Sequence, residues 1–343
     1  MKKLTITFII LDIIVAICFF VVYSPVFENL QNTIISTATV TKTHGYIAHI
    51  FYSDKRIKKV TALNSVPKID EEIDLNQVVI DTKPRESYDN PYDEAILTRD
   101  EGNEDYKYIK VKVGKYDGHL VAIYDPSKVH IITGKKFNTS NKSGKETVLQ
   151  MTKRLNAVVG INGGGFVDYG YGSDIPIGYV IKDGKVIWSP TDKQTDLIGF
   201  TKDNKLLLVH ATGEEAVEMG MRDALQFGPF LMINGERPNF KDSAGGFSRA
   251  ARVAIAQRKD GIVIFLVTEG THAAGPNMKE VIDTLELYGA YNAANLDGGT
   301  STQLVINGKL INNPKNITGQ SVVGGRGIVT GWGLILDSDK DAN

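Results

Sequence analysis

The sequence predicts an α+β or mixed-sheet α/β domain behind an N-terminal membrane anchor. Three observations carry this. The chain opens on a long apolar run, alternation of apolar and polar residues recurs from Tyr106 onward, and only a few helical stretches interrupt it.

Met1, Lys2 and Lys3 precede an apolar run from Leu4 to Tyr23. A helix of about 20 residues is long enough to cross a bilayer. Asp12 is the one charge inside the run. It costs roughly 2.5–3.5 kcal/mol on insertion scales, which the surrounding Ile, Phe, Val and Leu side chains offset. Lys2 and Lys3 favour a cytoplasmic N-terminus. Tyr23-Ser24-Pro25-Val26 is a poor cleavage site, so residues 1–24 read as an uncleaved, single-pass signal anchor with the bulk of the chain extracytoplasmic. A cleaved signal peptide or a buried N-terminal helix are the alternatives.

Residues 25–105 read as a helical stalk and a turn-rich linker. Phe27, Leu30, Ile34 and Ile35 recur at helical spacing, which suits a stalk helix or a surface helix docked on the main domain. Pro67, Pro84 and Pro91 punctuate the polar stretch that follows, and Asp89-Asn90-Pro91 reads as a turn.

The main domain is expected over residues 106–337. Tyr108-Ile109-Lys110-Val111-Lys112-Val113 alternates as a half-buried strand does. Strands are expected at 119–124, 129–133 and 157–161, the last preceded by a helix over 147–156. A hairpin turns at Lys182-Asp183-Gly184. Further strands fall at 206–210 and 230–233, and a pair at 252–257 and 262–268 turns at Lys259-Asp260-Gly261. Met278, Val281, Ile282 and Leu285 share one face of a helix over 277–288. Strands at 292–296, 303–306 and 328–336 close the domain.

Composition excludes several functions. With 39 basic and 40 acidic residues the net charge is -1, which speaks against a nucleic-acid partner. The one cysteine, Cys18, lies in the anchor. The rest of the chain therefore has no disulfide, no Cys-ligated zinc and no cysteine nucleophile. Histidine is scattered. Glu269 and His272 stand three apart, a spacing that binds metal on a helix, but Gly270 between them argues against a helix. No metal or cofactor is expected, and the ligand count does not call for a divalent cation.

Three glycine-rich segments follow strand ends: Asn162-Gly163-Gly164-Gly165-Phe166, Phe227-Gly228-Pro229-Phe230, and Asn295-Leu296-Asp297-Gly298-Gly299-Thr300-Ser301. Glycine at such places admits close backbone approach and anion-binding amides. The chain has no P-loop motif and no Gly-x-Ser-x-Gly elbow. Gly160-Ile161-Asn162-Gly163-Gly164-Gly165 lacks the helix that a dinucleotide fingerprint needs.

The first and third segments, with Arg252-Val253-Ala254-Ile255 between them in order and spacing, resemble the phosphodiester glycosidase family. The similarity covers about Tyr106 to Leu336, and the Asn-Leu-Asp-Gly-Gly piece is its most specific part. The chain departs from the family pattern at Gly165, an extra glycine before Phe166, at Thr300 in place of a third glycine, and at Glu269-Gly270 in place of Asp-Gly.

The resemblance implies hydrolysis of a sugar C1–O bond whose leaving group is a phosphate ester, of the N-acetylglucosamine-1-phosphodiester type. The material expected is of the cell envelope or exopolysaccharide. A phosphate monoester, with a second pKa near ~6, leaves as an anion with little protonation. The site then needs cations for the phosphate and a carboxylate near C1. Asp297, Glu269 and Arg252 are the catalytic candidates, Asp297 and Glu269 both standing just after apolar strands. Asn162, Gly163, Gly164, Asn295, Gly298, Gly299, Thr300, Ser301 and Arg326 are the substrate-binding candidates. Arg249 is a further cation, and Asp168 and Asp174 flank or lie in a Tyr/Gly-rich loop that would form the rim. Each has a bland counterpart: Asp297-Gly298 as a turn, Glu269 as a cap or lysine partner, Arg252 in a structural ion pair. Two other functions compete, a non-catalytic glycan-binding protein of the envelope and a P–O-cleaving phosphodiesterase.

Overall fold

The computed structural model describes residues 2–40, 45–135, 137, 144–167, 175–240, 249–271 and 273–336. They fall into two units, one formed chiefly by residues up to Ser65, the other by Val66–Asn239 and the chain from Arg249 onward.

The first unit is helical. Helix α1 (Lys2–Tyr23) contains a stretch, Thr5–Tyr23, long and apolar enough to cross a membrane. Three short helices follow, α2 (Glu28–Val40), α3 (Gly45–Phe51) and α4 (Asp54–Asn64), in place of one continuous stalk helix. The Ser53 hydroxyl caps α4 by accepting from Arg56 N–H. The Arg56 guanidinium then donates to Glu28 at 3.0 Å and to Asn32 at 2.8 Å, tying α4 to α2. Ile35, Ala38, Ala48, Ile57 and Val60 bury one another between these helices.

The second unit opens with a segment that the prolines marked as linker. Residues 66–105 lie along the domain instead. Val79 N–H donates to Lys259 O and Asp81 N–H to Asp260 O, and Lys205 Nζ reaches Leu75 O at 2.8 Å. Asn90 and Pro91, read as a turn, start helix α5 (Pro91–Leu97): Asn90 Oδ1 accepts from Tyr92 and Asp93 N–H, and Pro91 takes the first helical position.

The remaining elements, in chain order, are β1 (Tyr106–Val113), β2 (Tyr116–Ile123), β3 (Val129–Thr133), α6 (Val148–Arg154), β4 (Ala157–Asn162), β5 (Phe166–Val167), β6 (Ile175–Pro176), β7 (Val180–Lys182), β8 (Lys185–Trp188), β9 (Thr195–Thr201) and β10 (Leu206–Ala211). Then come α7 (Gly213–Glu218), β11 (Met221–Gln226), β12 (Phe230–Met232), β13 (Val253–Arg258), β14 (Val263–Thr268), α8 (Met278–Leu287), β15 (Ala290–Leu296), β16 (Leu304–Ile306), β17 (Lys309–Leu310) and β18 (Thr330–Ile335). The first sheet runs β1-β2-β14-β13-β15-β12, the second β10-β9-β11-β7-β8, and the third β17-β16-β4-β18-β3. Among the described residues every strand pairing is antiparallel. The fold is thus mixed helix and sheet, on the α+β side of the expectation.

The expected hairpin at Asp183-Gly184 forms because both residues take positive φ, 51° and 71°, as its tight turn requires. Asn277 caps α8 in a reciprocal box with Glu280, and Val281, Ile282 and Leu285 are buried as their spacing predicts. The main core joins all three large sheets. Val121, Val253 and Phe265 come from the first, Ile198, Phe200 and Leu225 from the second, and Val159, Ile161 and Trp332 from the third. The Phe200 and Trp332 rings meet edge-to-face at 5.6 Å.

Candidate active site

Antiparallel pairing brings distant motifs to one sheet edge. Val253 pairs with Val267 on one side and with Leu296 on the other. One step further along, Arg252 stands beside Thr268, and Asp297 follows Leu296. Arg252 N–H donates to Thr268 Oγ1 at 2.8 Å, and Thr268 N–H returns a bond to Arg252 O at 2.9 Å. Phe230 pairs with Ala294, so Gly228 and Pro229 reach the same edge.

The third sheet delivers its own loop there. Asn162 ends β4, and Gly331 pairs with it from β18. Its amide closes the junction: Nδ2 donates to Asp297 O at 2.6 Å while Oδ1 accepts from Gln303 N–H at 2.9 Å. Asp297 N–H donates to Gly163 O, and Gly163 N–H to Thr330 O. Gly164 N–H donates to Thr330 Oγ1 at 3.1 Å. Asn162 therefore staples two loops together through one Nδ2 hydrogen and one Oδ1 lone pair.

The glycines are needed for packing. A Cβ on Gly163 would lie 2.7 Å from Leu225 Cδ2, one on Gly164 2.8 Å from Gln226 O, and one on Gly298 2.5 Å from Ala251 O. Gly298 N–H donates to Asp297 Oδ1 at 3.1 Å, and Gly299 N–H to Ala251 O at 2.8 Å. Both amides, expected to face phosphate, are engaged within the protein. Gly299 starts a 3-10 turn through Ser301, which is 1% exposed. Thr300 lies between them, half-buried.

Asn295 Nδ2 donates to Gly228 O at 3.1 Å, and its N–H donates to Pro229 O. Asn295 Oδ1 is buried and has no hydrogen-bond partner among the described residues. The Arg326 guanidinium lies 4.9 Å from the centre of the Phe166 ring and reaches Ser301 Oγ at 3.4 Å. Gln303 Nε2 donates to Arg326 O at 2.8 Å. Lys145 Nζ approaches the same ring at 5.7 Å.

Arg252 Nε points toward Pro276 O at 3.5 Å, and burial pulls its guanidinium pKa down to about 10. Glu269 follows Thr268. Strand alternation turns it to the face opposite Arg252, the face of His119, which pairs with Val267. Glu269 Oε1 lies 3.2 Å from His119 Nε2 and accepts from Asn313 N–H at 3.0 Å. Burial raises its pKa, but the His119 bond and the Asn313 amide outweigh that and hold the carboxyl below its usual value. The two carboxylate candidates share the edge, and Glu269 reaches it from the opposite face of the sheet to Arg252. Arg249 is engaged elsewhere, with Glu280 at 3.0 Å and Gly275 O. His119, Tyr108, Gln303, Thr330 and Asn313 were not singled out from sequence, having no local motif. Asp168, Asp174, the Tyr169-Gly170-Tyr171 loop and His272 lie outside the described residues.

The chain belongs to the phosphodiester glycosidase family, whose model matches residues 155–335. It is similar to the SPbeta prophage-derived uncharacterized protein YomE of Bacillus subtilis (strain 168), with 30% identity over 206 residues, 55% of this chain and 30% of that one. It is also similar to mouse N-acetylglucosamine-1-phosphodiester alpha-N-acetylglucosaminidase, with 26% identity over 157 residues, 41% of this chain and 30% of that one. The bovine enzyme of the same name is 23% identical over 216 residues, 58% of this chain and 41% of that one. The chain thus spans less than half the length of these curated relatives. Among solved structures, the zebrafish N-acetylglucosamine-1-phosphodiester alpha-N-acetylglucosaminidase catalytic domain, auto-inhibited by its pro-peptide, shares the fold. Its TM-score is 0.57 at 23% identity, over 68% of this chain and 83% of that one.

Proposed function

We propose that this protein is a hydrolase that cleaves the sugar C1–O bond of a glycosyl-1-phosphodiester. The observation that carries the reading is that Arg252 and Asp297 each stand next to one member of the Val253–Leu296 pair at one sheet edge, where Asp297 N–H and Asn162 lock the Gly163 loop. Arg252 takes the phosphate, because a guanidinium binds its oxygens in two parallel bonds and an anion restores the charge that burial disfavours. Asp297 is the carboxylate at C1, stabilising the oxocarbenium-like state or receiving it. Arg326 serves as a second cation, and Asn295 Oδ1 accepts from a sugar hydroxyl or acetamido N–H. The departing phosphate monoester, with a second pKa near ~6, needs little protonation, so the reaction makes a small demand for a general acid. The relatives named for N-acetylglucosamine-1-phosphodiester hydrolysis support that substrate class, and we propose envelope or exopolysaccharide material as its source.

The test uses the full-length chain in detergent with a synthetic N-acetylglucosaminyl-1-phosphodiester. Wild type releases free sugar, and Asp297→Asn lowers the rate by roughly 10²–10⁴-fold with an unchanged melting temperature. Turnover at the wild-type rate in that variant removes Asp297 from the reaction. Helix α1 is proposed as a signal anchor that holds the domain outside the cytoplasm. A C-terminal reporter active only in the cytoplasm would contradict that orientation.

A further inference from the structure

We propose that Tyr108 and His119 form a positioning dyad that orients Glu269 and keeps it ionised as a second carboxylate of the site. The inference rests on the glycosidase reading and extends it to residues on β1 and β2, outside the 155–335 span that matches the family. Tyr108 OH lies 2.7 Å from His119 Nδ1, and His119 Nε2 lies 3.2 Å from Glu269 Oε1. The Tyr108 and His119 rings stack at 6.0 Å with 14° between their planes. His119 is 8% exposed, so its hydrogen bonds must be met within the protein.

One proton arrangement that satisfies the whole chain leaves Glu269 as the acceptor. In it Tyr108 O–H donates to His119 Nδ1, and His119 Nε2–H donates to an ionised Glu269. Asn313 N–H supplies a further donor to the same carboxylate. A protonated Glu269 would need the other His119 tautomer, with Nδ1–H donating to Tyr108 and Nε2 accepting, and its carboxyl would lose a donor. The arrangement therefore selects the carboxylate, which acts as an acceptor, for water or a sugar hydroxyl, and does not act as a proton donor. Glu269 is well placed for this. It directly follows Thr268, the residue that exchanges hydrogen bonds with Arg252. A substrate lying across the strand ends meets Arg252 from one face of the sheet and Glu269 from the other.

Other charged groups face this cluster. Lys110 pairs across from His119 on β1. Asp117, whose carbonyl accepts Glu269 N–H, is held below its usual pKa by its hydrogen bond to Lys112. Lys315 acts on Glu269 from the loop beyond Asn313. Burial, and then the Glu269 charge, raise Tyr108 and keep its proton in place. Among these groups only His119 bonds to the Glu269 carboxylate from the sheet, so its removal isolates the dyad.

The experiment measures two things on the full-length chain in detergent: kcat/KM against pH, and the carboxyl carbon shift of Glu269 against pH, assigned by its loss in Glu269→Gln. In His119→Ala the Glu269 titration and the acidic limb of the rate profile both move to higher pH. Activity at neutral pH falls by ~10-fold, the scale of one lost hydrogen bond to a charge. His119→Gln, whose amide N–H keeps the donor, recovers most of the loss. Tyr108→Phe, which removes one oxygen, shifts both curves less and in the same direction, and carries the same readout should His119→Ala not fold. An unmoved Glu269 titration in His119→Ala overturns the dyad. So does a rate loss equal at every pH, which marks a merely structural role. A shifted titration in a protein whose wild type cleaves no glycosyl phosphodiester upholds the charge-setting dyad and removes the glycosidase reading.

Discussion

An arginine stands at each end of β13, and the fold treats the two oppositely. Arg258, at the far end, is closed in by acids. Its guanidinium is held by Asp260 through Nε at 3.2 Å and Nη2 at 3.0 Å, and by Asp93 and Tyr288 O at 2.9 Å each. Burial lowers its pKa, but Asp260 and Asp93 outweigh burial and raise it. Arg252, at the near end, is pulled down to about 10 by burial. The lesson is about use. Arg258 is a staple that joins α5 to the sheet through Asp93, whereas Arg252, at the edge that carries the glycine loops, is proposed to meet the substrate's phosphate.

Replacing each arginine breaks or sharpens that contrast. Arg258→Met leaves the buried Asp260 and the half-buried Asp93 beside an apolar chain. It should destabilise the fold by about 3–5 kcal/mol, read by urea unfolding, while the folded fraction keeps its kcat/KM. Arg252→Met should cost less stability than Arg258→Met, because it strips no pair of acids of their cation. It should instead lower kcat/KM by roughly 10–100-fold, the scale of lost charged hydrogen bonds to phosphate. Equal stability losses in the two variants would erase the distinction. Unchanged catalysis in Arg252→Met would make it a second structural arginine.

The same contrast explains what the sequence discloses. Strands with a solvent face, such as Tyr106–Val113, are legible because alternation survives in them. β9 and β11 escape notice for physical reasons. Ile198, Gly199, Phe200 and Thr201 are all buried, so β9 shows no alternation. β11 carries Arg222 and Asp223 in its middle, and only the fold reveals that Asp223 is 1% exposed and bonded to Arg222 and His130. Residues 66–105 read as linker because backbone bonds to Lys259 and Asp260 leave no periodic trace in side-chain chemistry.

At the site, the glycine loops and Asp297 are legible because they cluster in short motifs. Their use is less so. The loops need glycine for tight packing against Leu225, Gln226 and Ala251, and Asn162 joins two of them. The partners of Glu269 stay hidden, since 150 residues separate it from His119 and no local pattern links them.

The central claim is that water attacks carbon. The most direct measurement is hydrolysis of an N-acetylglucosaminyl-1-phosphodiester by the full-length protein in isotopically labelled water, with both products read by mass spectrometry. The account predicts the label in the released sugar and none in the phosphate monoester. Label in the phosphate would show P–O cleavage and contradict it.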